Sequence, residues 1–236
     1  MKFKKKITVD IHDVDFSGVA RLSSLMRYIQ SAAQTQLSEN GMSYNELKAM
    51  NRAFILSKIK MEFSSAVGAH EPLVATTFPC ESRGYSFLRC YTLERDGEII
   101  GKAVSVWALL DTDTKSLVRV NNFELGLMTH EALELSINRF NMPDGMTLVG
   151  KYRVNYGNTD QNMHMNNTAY PDMYSEFLDL DGKRIHTISI NYLKEAPRGE
   201  ELAVYLGRGE NGAYYFRTLR SDGEVNTEAE IFLSEI

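Results

Sequence analysis

Cysteine is scarce in this chain of 236 residues: Cys80 and Cys90 are the only two, ten positions apart, with no cysteine or histidine cluster beside them. That spacing excludes the usual metal-ligand patterns, and two thiols in a reducing compartment are ordinarily small apolar residues. No apolar run approaches the roughly 20 residues needed to cross a bilayer. Basic charge is also in deficit, with 26 Lys and Arg against 31 Asp and Glu and a net charge of −5, so a general affinity for nucleic acid is not indicated. A Gly-x-Ser-x-Gly nucleophile elbow is absent, as is a glycine-rich phosphate loop, leaving serine-hydrolase and nucleotide chemistry unsupported. The start, Met1 to Asp10, is basic but leads into an alternating run and not an apolar stretch. It predicts neither a secretory signal nor a transit peptide, and a cytoplasmic protein is the expectation. Lys2, Lys4, Lys5 and Lys6 form one basic cluster that an acidic partner could meet, although a solvated terminal strand is the better explanation.

What is present is ordinary for a protein with a full core: 43% hydrophobic and 24% charged residues, in a length that suits one large domain or two small ones. Residues 6–14 alternate, and Asp15-Phe-Ser-Gly18 makes a turn. Leu22, Leu25, Met26, Ile29, Ala32, Ala33, Gln36 and Leu37 then fall on one helical stripe that Gly41 can stop. After a polar connection, strands are predicted over 54–63, 73–78, 85–93 and 99–110, with Glu94-Arg-Asp-Gly97 as a hairpin turn and a short closing strand over 117–120. Residues 121–148 read as a linker in which Thr129 caps a short helix running to Phe140, broken by Asn141-Met-Pro143-Asp-Gly145. From Val149 the order restarts: strand, polar turn, helix, strands, hairpin, strand.

The restart holds residue by residue. Asp15 matches Asp160 at an offset of 145, which sets Ser17 against Asn162 and Val19 against His164. Ile59, Met61 and Phe63 match Ile188, Ile190 and Tyr192 at 129, and Asp96-Gly97-Glu98 matches Asp222-Gly223-Glu224 at 126. A repeat of this length points to duplicated α+β units, each a long helix followed by an antiparallel meander that buries its stripe. The expected organisation is therefore 1–122, a linker over 123–148, and 149–236.

The copies differ in the stretch from Asn158 to Asn167, which packs Asp160, Asn162, His164, Asn166 and Asn167 into one connection. Turns collect Asn and Asp for backbone reasons, but here the amide and the imidazole are kept to one copy. That asymmetry favours a site built once. Histidine can pass protons in both directions near neutral pH. Asp160 and Asn162 can orient the same reacting group across the turn. One of Asn166 and Asn167 is expected to cap the helix running through Tyr170, Met173, Tyr174 and Phe177, whose free N–H groups could face an oxyanion. Glu195, at the end of the strand that begins near His186, can return to that helix start as a base or a histidine-orienting group, or be a solvated strand end. His186 itself reads as a packed or surface residue. A carboxylate, an imidazole and aligned N–H donors suit hydrolysis of an activated acyl group.

Asp160-x-Asn162-x-His164-x-Asn166-Asn167, with Tyr192-Leu-Lys-Glu195-Ala196 downstream and Ser105-Val-Trp107 followed by Asp111-Thr-Asp-Thr114 in the first copy, resembles the acyl-ACP thioesterase family of bacteria and plant plastids. The resemblance covers nearly the whole chain. It implies two tandem hotdog domains forming a pseudo-dimer, a long helix wrapped by an antiparallel sheet in each, and hydrolysis of fatty acyl-acyl carrier protein in fatty acid biosynthesis. It also implies Asp160, Asn162, His164 and Glu195 as the catalytic set, with no metal and no cofactor. Ala196 stands where many plant members carry cysteine, which removes a thiol nucleophile. First-copy apolar residues would line the acyl channel; the candidates are Leu25, Met26, Ile29, Leu56, Met61 and Trp107, each of which also suits plain core. The implied partner is the acyl carrier protein, with neither nucleic acid nor membrane, in a monomer or a homodimer. An acyl-CoA thioesterase, a hotdog dehydratase and a non-catalytic acyl-binding module are the competing readings.

Overall fold

The computed structural model describes residues 1–137 and 140–236. The first copy comprises β1 (Phe3–Thr8), α1 (Leu22–Glu39), α2 (Tyr44–Ala49), β2 (Arg52–Phe63), β3 (Pro72–Pro79), β4 (Phe87–Arg95), β5 (Glu98–Asp111) and the short β6 (Ser116–Val118). The second comprises β7 (Thr147–Arg153), α3 (Tyr170–Ser175), β8 (Lys183–Tyr192), β9 (Glu201–Arg208), β10 (Tyr214–Leu219) and β11 (Val225–Glu235). One antiparallel sheet joins them in the order β1-β3-β4-β5-β2-β8-β11-β10-β9-β7, with β6 on β5. The order reads the same from both ends once copies are exchanged.

The seam confirms the repeat. At the β2–β8 junction Ile59 faces Ile190, Lys60 faces Ser189 and Met61 faces Ile188. Lys60 and Ser189 are also counterparts at the offset of 129, so each pairs with its own equivalent. A contact of that kind places a pseudo-twofold axis through the pair. The apolar positions matched between the copies thus become the centre of one shared core, with Ile59, Met61, Ile188 and Ile190 all buried. This is the tandem hotdog architecture.

Packing, more than capping, holds α1. Its N-cap, Arg21, makes no side-chain cap bond, a loss on the order of 1 kcal/mol. Against that, Leu22, Leu25, Met26, Ile29, Ala32 and Ala33 are all buried against the sheet, and a fully buried side chain of Leu or Ile size contributes roughly 1.5–3 kcal/mol. Gly41 ends the helix as expected, with positive φ, while Met42 N–H donates to Leu37 O at 2.9 Å.

Three expectations need correction. The second copy's helix is not long: a 3-10 turn at Asn167–Ala169 leads into only six α-helical residues. The chain allows 13 positions from the start of α3 to the start of β8 (183 − 170), against 30 from α1 to β2 (52 − 22), and Gly182 at φ +66 turns it early. The linker holds no helix over its described residues. Leu133, Leu135 and Ile137 recur at period two, the extended-chain spacing, and lie over Phe78, Cys80, Cys90 and Val104 on the sheet's outer face. His130 N–H donates to Pro79 O at 2.9 Å and fixes the linker there. Finally, the polar connection after α1 contains a helix, α2, whose Ser43 and Glu46 form a reciprocal capping box.

One glycine marks how tightly the first copy is packed. A Cβ at Gly101 would sit 2.5 Å from the Phe63 ring. Gly101→Ala is expected to cost roughly 1–3 kcal/mol, read as a lower urea midpoint; an unchanged midpoint would show that the ring can yield.

Candidate active site

The turn from Asp15 to Ala20 and the turn from Asp160 to Met165 are the same structure. Asp160 N–H donates to His164 O at 2.9 Å, as Asp15 N–H donates to Val19 O at 2.8 Å. Met163 adopts φ +65 where Gly18 adopts φ +80, a left-handed conformation that costs a non-glycine residue roughly 1–2 kcal/mol. Met165 N–H donates to Ala196 O and Ala20 N–H to Val67 O, so each turn is strapped to the end of its own copy's central strand. In the second copy that strap brings His164 beside Pro197 and within reach of Glu195.

His164 Nδ1 lies 3.3 Å from Glu195 Oε2. The two side chains keep 34% and 59% of their accessible surface, and an ion pair this exposed adds at most about 1 kcal/mol to stability. Orientation is the larger consequence. With Nδ1 turned to the carboxylate, Nε2 is left for a reacting group. Val19, the counterpart of His164, has no such partner; the position next to it in the strap is Gly68.

Asp160 has a second occupation. Its Oδ1 accepts the Asn162 N–H at 2.8 Å, the bond that Asp15 makes with Ser17 at 2.9 Å while also accepting from Val19 N–H. An aspartate found in both copies is thus at least a turn-former. Asn162 Oδ1 receives the Tyr44 hydroxyl at 3.4 Å. That contact crosses from α2 of the first copy, and the Ser43-x-x-Glu46 capping box was the signal in the sequence that could have predicted the helix carrying Tyr44.

Asn166 is the cap of the helix start, its Oδ1 accepting from Thr168 N–H at 2.9 Å and Thr168 Oγ1 at 2.8 Å. Ala169 N–H donates to Asn166 O and Pro171 has no N–H, so the donors expected to face an oxyanion are largely taken. Ala196 is fully buried. His186 packs near Phe232, and burial together with the Arg184 charge lowers its pKa.

Leu25, Met26, Ile29, Leu56 and Met61 all belong to the buried core; Trp107 is partly exposed and donates its indole N–H to Ser105 Oγ at 2.7 Å. A cavity of about 630 Å³ opens between the first copy's turn and the end of α3, lined by Phe16, Leu22, Leu25, Phe63, Val67 and Leu178 among others. Leu25 alone of the six channel candidates lines it, and none of Asp160, Asn162, His164 or Glu195 does.

Family models described as the acyl-ACP thioesterase N-terminal domain and the acyl-ACP thioesterase C-terminal domain match residues 1–124 and 143–234. The chain belongs to the acyl-ACP thioesterase family. It is a thioester hydrolase, and its substrate is fatty acyl-acyl carrier protein. Among solved structures, an acyl-ACP thioesterase from Bacteroides thetaiotaomicron superposes with a TM-score of 0.90 at 19% identity, covering 99% of this chain and 98% of that one. The 12:0-ACP thioesterase from Umbellularia californica gives 0.84 at 14% identity, covering 100% and 98%. Both share the fold of this thioesterase. No curated relative matches the sequence. Among the described residues, no helix is long and apolar enough to cross a membrane.

Proposed function

We propose that His164 and Glu195, held by Asp160 and Asn162, carry the hydrolysis, and that the enzyme releases free fatty acid during cytoplasmic fatty acid biosynthesis. The observation that carries this reading is the 3.3 Å approach of His164 to Glu195, made between two segments of the second copy and lacking in the first. His164 Nε2 takes a proton from water as the oxygen attacks the thioester carbonyl, and Glu195 stabilises the imidazolium. Collapse of the tetrahedral intermediate breaks the C–S bond, and the proton returns to the leaving sulfur. Thioester hydrolysis needs no thiol on the enzyme, in keeping with the buried Ala196.

The acyl chain would enter between α1 and the sheet, where Leu25, Met26, Ile29, Leu56, Met61 and Trp107 set its length by shape. The pseudo-twofold already supplies both halves of a hotdog dimer in one chain, which supports a monomer as the working unit. The test is turnover of matched acyl-ACP and acyl-CoA over a range of chain lengths, read by release of carrier thiol. Acyl-ACP is expected to be the better substrate with a defined chain-length optimum. A clear preference for CoA would overturn the carrier assignment, and product formed without thiol release would indicate a dehydratase.

A further inference from the structure

Behind the His164–Glu195 pair lies a set of buried polar side chains, with Tyr192 half-buried among them, whose counterparts in the first copy are apolar or lack a side chain. Tyr170, Tyr174, Tyr192, Thr218, Asn226 and Thr227 correspond to Leu25, Ile29, Phe63, Leu93, Ile100 and Gly101. The pairings verify the match: Phe63 faces Gly101 on β2–β5 as Tyr192 faces Thr227 on β8–β11, and Leu93 faces Gly101 as Thr218 faces Thr227. Ser64 N–H donates to Ile100 O, as Leu193 N–H donates to Asn226 O.

Asn226 is fully buried and its carboxamide is satisfied on both sides. Nδ2 donates to Tyr170 Oη at 3.0 Å and to Lys194 O, while Oδ1 accepts from Thr218 Oγ1 at 2.9 Å. The main-chain carbonyl of Asn226 also accepts from Leu193 N–H at 2.9 Å and Lys194 N–H at 3.1 Å. Thr218 continues to Thr227 at 2.7 Å, and Thr227 to Tyr174 at 2.7 Å. Tyr192, edge-on to Tyr170, donates its hydroxyl to Asn167 O at 2.8 Å. The network therefore touches both arms of the site: residues 193–194, immediately before Glu195, and the Asn167–Tyr170 segment into which the His164 turn runs.

We propose that Asn226 is a positioning residue for hydrolysis, its carboxamide tying the backbone that carries Glu195 to Tyr170 and so fixing Glu195 against His164. This rests on the His164–Glu195 reading. The fold alone does not call for these groups, since the first copy builds the same strand ends from apolar residues, with Leu25, Ile29, Phe63, Leu93 and Ile100 in one buried core cluster. Buried polar groups stabilise little on net and are costly when half satisfied, so a wholly satisfied set restricted to the catalytic copy points to orientation, not to stability. Burial holds the Tyr170 phenol up at about 12, with the Asn226 bond lowering it and the Glu195 charge raising it further. The hydroxyl is thus neutral and lies within the influence of Glu195.

The test converts the network to its first-copy form in the full chain: Tyr170→Leu, Thr218→Leu and Asn226→Ile together. These changes remove both partners of the Asn226–Tyr170 and Asn226–Thr218 bonds, and the Thr227 hydroxyl keeps Tyr174 as its partner. The expected result is a kcat lower by roughly 10–100-fold, the range for a misplaced catalytic group, with KM and the thermal midpoint close to the parent's. A folded triple variant with parental kcat would overturn the proposal. If that variant does not fold, Tyr170→Phe and Thr218→Val decide it, each removing one hydroxyl: a reduced kcat at constant KM supports positioning, and parental kcat in both overturns it. His164→Ala measured in the same assay separates the two levels, because activity retained there would overturn the site itself and not only its support.

Discussion

His164→Ala is expected to lower kcat by about 10³-fold, within the range of a lost general base, while the protein keeps its thermal midpoint and circular dichroism spectrum. The fold tolerates the change for a reason visible in the molecule. The first copy forms the identical turn with Val19 in place of histidine, the main-chain bond from Asp15 N–H to Val19 O included. His164 is also one-third exposed, so truncation leaves no deep cavity. Steady-state turnover of acyl-ACP by the folded variant checks this, and near-normal kcat would remove His164 from the mechanism. His164→Val, the first copy's own residue, serves as the control for any doubt over the turn.

Much of this arrangement is legible in the sequence. The offsets of 145, 129 and 126 located the turn, the central strand and the last hairpin of each copy, and they reappear as equivalent hydrogen bonds and register pairs. Those features are local periodicities and turn residues, which sequence carries directly. In the linker Thr129 resembles a helix cap, but Leu133, Leu135 and Ile137 recur at the extended-chain period, and what decides is the apolar outer face they cover. Tyr170, Met173, Tyr174 and Phe177 keep helical spacing and so predict a longer second helix, yet α3 ends at Ser175. Contacts between distant segments lay beyond sequence spacing altogether. Tyr44 reaching Asn162 and Asn226 reaching Tyr170 span 118 and 56 positions. The repeat did hold a clue to the second: Asn226 replaces an isoleucine at the very offset that aligns the hairpins.

Glu195→Gln is expected to cost roughly 10²–10⁴-fold in kcat, because the amide no longer balances the imidazolium that forms when His164 takes a proton. The same variant distinguishes two routes. If water attacks directly, no covalent species forms, and intact-mass spectra during turnover show the unmodified chain in both Glu195→Gln and Asp160→Asn. If the Asp160 carboxylate attacks first, an acyl anhydride forms on it and accumulates in Glu195→Gln, where its hydrolysis is slowed. The geometry favours water. Asp160 spends Oδ1 on the Asn162 N–H, as Asp15 does on the Ser17 N–H in a copy with no imidazole beside it, whereas Glu195 has His164 Nδ1 as its facing group. Asp160→Asn retains an oxygen that can accept the same N–H, so the turn survives the substitution. An added acyl mass in Glu195→Gln, mapped to Asp160 and lost when Asp160→Asn is combined with it, would establish the anhydride route and reverse the roles of the two carboxylates.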